Sequence, residues 1–496
     1  MKKRNSFIMR TGCTLLMLIL TASLITSCKK AENDPLPENN QGTENAAAKE
    51  ESTAASENSA AEGTVSEAAG KDNATDEKKT GGIDDIVGDW ELAYTKGHSE
   101  YGTDDEPYDY VNMADDPYAA TSELIISKKD GKFIADYNFN GYETDIRYLG
   151  VEFIKKDGPA YPECENKDWY FEFADPFSKE GTVKKYTLLD SGELVGISLH
   201  SEGEKGKEDY YYSLDTEVYL RKDSPEMKNR EELRYFETVT VSSLDDLINN
   251  IDPNKKVILK KGTYDFTKLD KRRIDSDHIK HLLSQDEIED GYRTYTLSDF
   301  SNFCIEAEEP GEVLICTEEA YDPVMFFRYA NNLTLRGLVC GHEVEPGYCS
   351  GSVLGFSGSS GIKIDNCKLY GCGTYGLEIH DSEHFDVKDS EIYECTYGLL
   401  DIYSSSSLNF ENCTFRDSKE LSMICVDSGY EIVFDGCTFK NNRINPEYTS
   451  CHFVDLSEYS EVTFNSCCFD NNQYNLFSNR KVTTTNCTIN DNQDSN

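Results

Sequence analysis

The sequence predicts an all-β protein in two parts, a small antiparallel barrel or sandwich followed by a parallel β-helix. Three observations predict it. Between Ile83 and Asp223, short period-2 segments alternate with turn signals and carry no helical period. From Leu333 onward an eight-residue pattern returns every 20–30 residues, the period of a solenoid coil. Fourteen of the 17 cysteines fall between Cys304 and Cys487, in a region long enough to build a core without disulfides.

The chain ahead of these parts reads as a targeting and display device. "MKKRNSFIMR" is a charged n-region and "CTLLMLILTASLI" an h-region too short for a comfortable membrane span. The run ends in "LITSC", which resembles the lipobox of bacterial lipoproteins. That resemblance implies a signal peptide over 1–27, cleavage before Cys28 and lipidation of the Cys28 thiol. The protein is then expected to be exported and lipid-anchored at a bacterial cell membrane or outer envelope. From 28 to 82 the chain is Ala, Glu, Asn, Ser and Thr with almost no aromatic residue. Such a stretch buries too little apolar surface to offset its ordering entropy, so a disordered tether is expected.

Charge narrows the partners. The formal balance is 49 basic against 92 acidic residues, a net charge of −43. This field excludes nucleic acid and opposes an anionic membrane face or a polyuronate, unless calcium or a local basic cleft intervenes.

The first folded part spans 83–223 and opens with "IVGDWELAY". In "SELIISKKDGKFIADY" two alternating runs flank a "KDG" turn, a hairpin signal. The "GDWELAY" start and the closing "EVYLRK" strand resemble the small lipocalin-like or calycin-type barrels of bacterial lipoproteins. Trp90, Tyr94 and Phe133 are expected in its core. Tyr210, Tyr211 and Tyr212 must lie on both faces of their strand.

The second part spans 234–496. "VSSLDDLINNI" places Ser243 at an N-cap with Asp246 at N3, a capping-box start. "KKVILKKGTYDF" then gives a strand, a Gly turn and another strand. This opening resembles that of right-handed parallel β-helix proteins of the pectin-lyase-like class, which implies a helix covering the open first coil. The repeats follow as "LTLRGLVC", "IKIDNCKL", "FDVKDSEI", "LNFENCTF", "IVFDGCTF", "VTFNSCCF" and "VTTTNCTI". A leucine-rich repeat shares the period, but its leucine framework and helical arc are missing.

The first, third, sixth and eighth residues of each segment are expected to point inward, around a bend at the fourth and fifth. One inward column then holds Leu338, Cys367, Ser390, Cys413, Cys437, Cys467 and Cys487. The next holds Cys340, Leu369, Ile392, Phe415, Phe439, Phe469 and Ile489. Cysteine alternating with leucine and serine acts as a small buried filler, and a line of seven coils is not the tetrahedral cluster of a metal site. Asn366, Asn412 and Asn486, with Asp389, Gly436 and Ser466, suit left-handed bend positions. His342 with Cys340, Cys349 and Cys372 is the one zinc-like grouping, and the ladder already uses Cys340. The stretch 276–290 suggests a helical excursion or flap.

The same register, carried back one strand, points outward to chemistry. Glu378, Asp401 and Asp455 share one outward column, with Cys425 between the last two. His380, Tyr403 and Asp427 share its neighbour, and no arginine or lysine stands on this face in the position that lyases use as base. Carboxylates one coil apart repel, which raises one pKa toward a useful acid. A pair farther apart flanks a glycosidic bond with room for water. Glu378, His380, Asp401 and Asp427 are therefore the catalytic candidates, with Tyr403 and Asp455 as substrate-binding ones. The resemblance implies a polysaccharide groove on this face, yet the "NTD…DD…GHG…RIK" set of β-helix polygalacturonases is absent. Three readings stand: a glycan- or envelope-binding lipoprotein, a glycoside hydrolase or polysaccharide lyase, and a structural or adhesive spacer. No cofactor is expected, with Ca²⁺ on the carboxylates as the alternative.

Overall fold

The computed structural model describes residues 82–491, with short internal breaks and longer ones at 175–182 and 270–295. The segment 1–27, Cys28, the tether to residue 81, the excursion 276–290, Cys349 and Cys372 lie outside the described residues.

Nine antiparallel strands come first: β1 (Gly88–Tyr101), β2 (Tyr108–Met113), β3 (Thr121–Lys129), β4 (Lys132–Asn140), β5 (Asp145–Asp157), β6 (Trp169–Ala174), β7 (Val183–Leu188), β8 (Leu194–Glu202) and β9 (Tyr211–Arg221). Neighbours pair in order from β3 to β9, and β9 pairs back on β1, so eight strands close a barrel rather than a sandwich. On its other edge β1 meets β3 along Gly88–Glu91 and β2 along Tyr94–Ser99. The β3–β4 hairpin turns through Asp130 and Gly131, at φ 50° and 78°, the twist that a two-residue loop needs.

Alternation fills the barrel with Trp90, Leu124, Phe133, Phe153, Phe171, Phe173, Tyr186 and Tyr219. Trp90 and Phe133 are thus core, as expected. Tyr94 is not in that cluster. A register shift between Leu92 and Tyr94 moves it onto the Leu220–Met227 cluster, and its ring lies 5.8 Å from that of Phe236.

From Glu237 the chain winds into coils of three parallel strands. One coil runs Leu377–His380, Glu383–Lys388 and Glu391–Tyr393 before returning to Leu400–Tyr403. Stacked coils make a first sheet of seven strands, a second of ten and a third of nine. The helix Leu244–Ile248 starts at Ser243, whose side chain accepts the Asp246 amide, and it buries Leu244, Leu247 and Ile248 against the first coils. The N-cap and the helix over the first coils are as expected, and the Asp246 carboxylate accepts the Ser243 hydroxyl at 2.6 Å.

The inward columns stack as the repeat requires. Cys340, Leu369, Ile392, Phe415, Phe439, Phe469 and Ile489 pair coil to coil. The rings of Phe415, Phe439 and Phe469 lie 4.7 and 4.9 Å apart and almost parallel. The thiols do more than fill space. Sγ of Cys413, Cys437 and Cys467 donates to the carbonyls of Val387, Phe410 and Phe434 at 3.3, 3.2 and 3.4 Å. Ser390 Oγ does the same to Ile364 at 3.4 Å, which explains why serine and cysteine interchange in this column. The residue before each is left-handed, with φ between 49° and 63° at Asn366, Asp389, Asn412, Gly436, Ser466 and Asn486.

Candidate functional site

The first sheet carries the outward residues because its strands are only three or four residues long and two of every four side chains must face out. Register places Glu378 beside Asp401, then Cys425, then Asp455. It places His380 beside Tyr403, then Asp427. Neighbours in a column are roughly 4.8 Å apart, the strand spacing of any sheet.

Three of the four catalytic candidates come together. His380 Nε2 lies 3.3 Å from Asp401 Oδ2. The His380 ring meets Tyr403 edge-on with centroids 6.0 Å apart. Thr374 Oγ1 donates to Glu378 Oε1 at 3.3 Å. Burial raises the pKa of Glu378, and the Asp401 charge adds to that rise while His380 opposes it. Burial works against the His380 imidazolium, but its hydrogen bond to Asp401 and the charges of Asp401 and Glu378 outweigh this and raise its pKa. The arrangement sets a carboxyl whose pKa is raised beside an imidazole–carboxylate contact, so groups able to donate and accept a proton sit on adjacent coils.

Asp427 stands apart. It is exposed, one coil beyond Tyr403, and its partner is the hydroxyl of Ser428 at 3.1 Å. Asp455 is two coils from Asp401 and is held by Ser422 at 3.3 Å and by the Asn479 amide. His452 Nδ1 approaches Asp455 at 3.6 Å, too long for a hydrogen bond.

Two features escaped the sequence. Arg328 lies in the His380 column, two coils before it through Ser357. Its strand "MFFR" lies ahead of the first clear copy of the repeat, where the outward register is not marked in the sequence. Tyr375 forms a wall: its hydroxyl lies 3.6 Å from Cys425 Sγ, two coils along. The ring fits because Gly398 lies under it, where a Cβ would come within 2.8 Å of Tyr375 Cε1. "TYGL" occurs at Thr374–Leu377 and again at Thr396–Leu399, which suggests that the two tyrosines align. The ladder instead pairs Leu377 with Leu400, so Tyr375 faces Gly398 while Tyr397 is exposed. Under this wall, burial pushes the Cys425 thiol up to about 12, leaving it inert as a nucleophile.

Cys340 and His342 lie buried on one third-sheet strand, and His342 Nε2 donates to the Asp322 carbonyl at 2.9 Å. Among the described residues no group of three or more His, Cys, Asp or Glu is arranged to hold a metal ion.

Comparison with known proteins bears on the fold. A family model described as a right handed beta helix region matches residues 352–495. No curated protein matches the chain. Among solved structures, an alginate lyase from Paenibacillus sp. str. FPU-7 is 10% identical over 51% of this chain and 95% of its own, with a TM-score of 0.29. ORF18 of Geobacillus virus E2 is 12% identical over 60% of this chain and 67% of its own, with a TM-score of 0.28. The catalytic unit of a GH87 alpha-1,3-glucanase from Streptomyces thermodiastaticus strain HF3-3 is 9% identical over 81% and 87%, with a TM-score of 0.22. Likenesses this distant carry no functional argument, and the fold rests on the family match and the coil register.

Proposed function

We propose that the protein binds a neutral glycan along the outward face of the first sheet, while a lipidated Cys28 and a tether hold it off a bacterial membrane. The observation that carries this reading is the cluster of Glu378, His380, Asp401 and Tyr403 on two adjacent coils, with Tyr375 as its wall. Sugar hydroxyls are donors that suit carboxylate acceptors, and a half-exposed tyrosine offers a face for a sugar ring. The net charge of −43 favours a neutral or cationic polymer over a uronate. The lipid anchor rests on "LITSC" alone.

A second reading is favoured by one specific feature. Glu378 holds its proton more tightly than an ordinary carboxyl while Asp401, one coil away, faces His380. A general acid beside a carboxylate is what glycoside cleavage needs.

A screen against an array of neutral oligosaccharides, paired with reducing-end and unsaturated-product assays, tests both readings. Retention of a neutral glycan that weakens in Asp401→Asn supports binding at this face. Product made by the wild type and lost in Glu378→Gln supports cleavage, and retention without product rejects it. Absence of both glycan retention and product rejects both readings.

A further inference from the structure

A second feature runs beside the cluster, along the bend between the first and second sheets. Here the coils leave a groove of ≈ 590 Å³. Its floor is the hydroxyl ladder of Ser359 and Ser382, and its sides carry Asp381, Glu383 and Ser404. The ladder itself is structural: Ser382 Oγ accepts the Ser359 amide at 3.0 Å and Ser405 Oγ accepts the Ser382 amide at 3.1 Å. A polar floor of this kind needs no ligand. The two ends of the groove are different.

At one end Tyr430 lines the groove and is 52% exposed. At the other, Tyr329 is 51% exposed and its ring lies over Gly358, where a Cβ would come within 2.7 Å of the ring. The backbone bonds Tyr329 to Ser357, Gly358 to His380, Asp381 to Tyr403 and Ser404 to Asp427, so one residue per coil occupies this bend position. The other occupants are Gly358, Asp381, Ser404 and Ser428, all small or acidic and all left-handed. Tyr329 is the one aromatic among them. It is left-handed too, at φ 54°, a conformation that disfavours a bulky side chain such as tyrosine.

Two half-exposed rings therefore bracket a hydroxyl- and carboxylate-lined trough that adjoins His380 and Tyr403. Tyr329 belongs to the coil of Met325–Arg328 and Tyr430 to that of Ile424–Asp427, four coil steps apart. The Tyr329 ring leans one coil along, over Gly358, so three steps, roughly 14 Å at the strand spacing, separate that ring from the coil of Tyr430. Each step is close to the length of one sugar residue. Sugars stacked on each ring leave room for two between them.

We propose that this groove is a four-sugar subsite for an unbranched neutral glycan lying parallel to the coil axis, with Tyr329 and Tyr430 as its stacking platforms. The inference rests on the glycan-binding reading and adds to it the place, direction and length of the bound segment. Asp381 and Glu383 accept sugar hydroxyls, and their charge excludes uronates and sulfated sugars.

The test uses the whole protein and a panel of neutral oligosaccharides of two to six units from cellulose, xylan, mannan, chitin and β-1,3-glucan. Binding is followed by calorimetry and folding by thermal melting. The groove predicts affinity that climbs to four units and then levels off. Tyr329→Asn and Tyr430→Ser should each weaken binding tenfold or more. Tyr329→Asn should leave the melting temperature unchanged or raised, because asparagine suits the left-handed bend; a merely structural tyrosine would lower it. Binding that ignores both tyrosine changes but falls in Asp401→Asn would overturn the groove and leave the first-sheet face standing. Absence of binding to every member of the panel would overturn both.

Discussion

The bend lined by cysteines and the outward face of the first sheet are built by the same rule, one residue per coil in register, and they use it in opposite ways. In the cysteine column the chemistry hardly changes from coil to coil. Cys413, Cys437 and Cys467, and Ser390 before them, each donate to a backbone carbonyl. In the outward column Gly355, Glu378, Asp401, Cys425 and Asp455 follow one another, and only the Glu378–Asp401 neighbours share a chemistry. A solenoid repeats what its coils need for stacking. Where the repeat is broken on a face that stacking does not constrain, the residue answers to something else.

The largest expected effect lies on the scaffold side of this contrast. Phe439 stacks on Phe415 and Phe469 and touches Phe434, Phe453 and Phe464, with no exposure. Phe439→Ala should cost about 3–5 kcal/mol in denaturant unfolding. A loss under 1 kcal/mol would show that the stack is not what holds the coils.

Gly398→Ala sits on the border between the two regions. Its Cβ would come within 2.4 Å of the Ser422 carbonyl and 2.8 Å of the Tyr375 ring. The variant should lose about 1–3 kcal/mol by overpacking and should also expose Cys425 to a thiol reagent. Unchanged Cys425 labelling would show that Tyr375 is not its cover.

Cys437→Ser should be milder, within about 1 kcal/mol, since a hydroxyl donates to the Phe410 carbonyl as the thiol does. A chelator should leave the melting temperature unmoved. A metal-dependent melt would contradict the ladder.

The smallest effect concerns pH. Glu378 has its folded pKa raised, so the folded state holds the proton more tightly than the unfolded chain. Stability should fall as pH rises from the ordinary carboxylate range through the raised value, and level off above it. The raised pKa of His380 acts in the same sense: its contribution is whole below the ordinary imidazole range and is lost as pH rises through the folded value. Glu378→Gln should remove the lower-pH part of this decline and diminish the upper part, because the Glu378 charge helps raise the His380 pKa. A decline unaltered by that change would place the titration elsewhere.

Much of this was legible in the sequence because period and register are arithmetic. Counting from Phe410 to Phe415 across the repeats fixed which side chains point inward. Counting back one strand gave the pairing of Glu378 with Asp401 and of His380 with Tyr403. The rest was hidden for identifiable reasons. Tyr375 enters from the loop before its strand, and the two copies of "TYGL" differ by one residue in register, so alignment of letters pointed away from Gly398. Arg328 belongs to an early coil whose sequence departs from the repeat. Tyr94 is displaced by a bulge that period-2 reading does not count. Asp427 shares the column of His380 and Tyr403, and a column says nothing about exposure.

The most direct measurement is binding of the neutral-oligosaccharide array by the whole protein as wild type, Asp401→Asn and Cys437→Ser. The contrast between site and scaffold predicts that wild type and Cys437→Ser retain the same glycan and that Asp401→Asn weakens it about tenfold. Equal retention by all three proteins, or none by any, would contradict it.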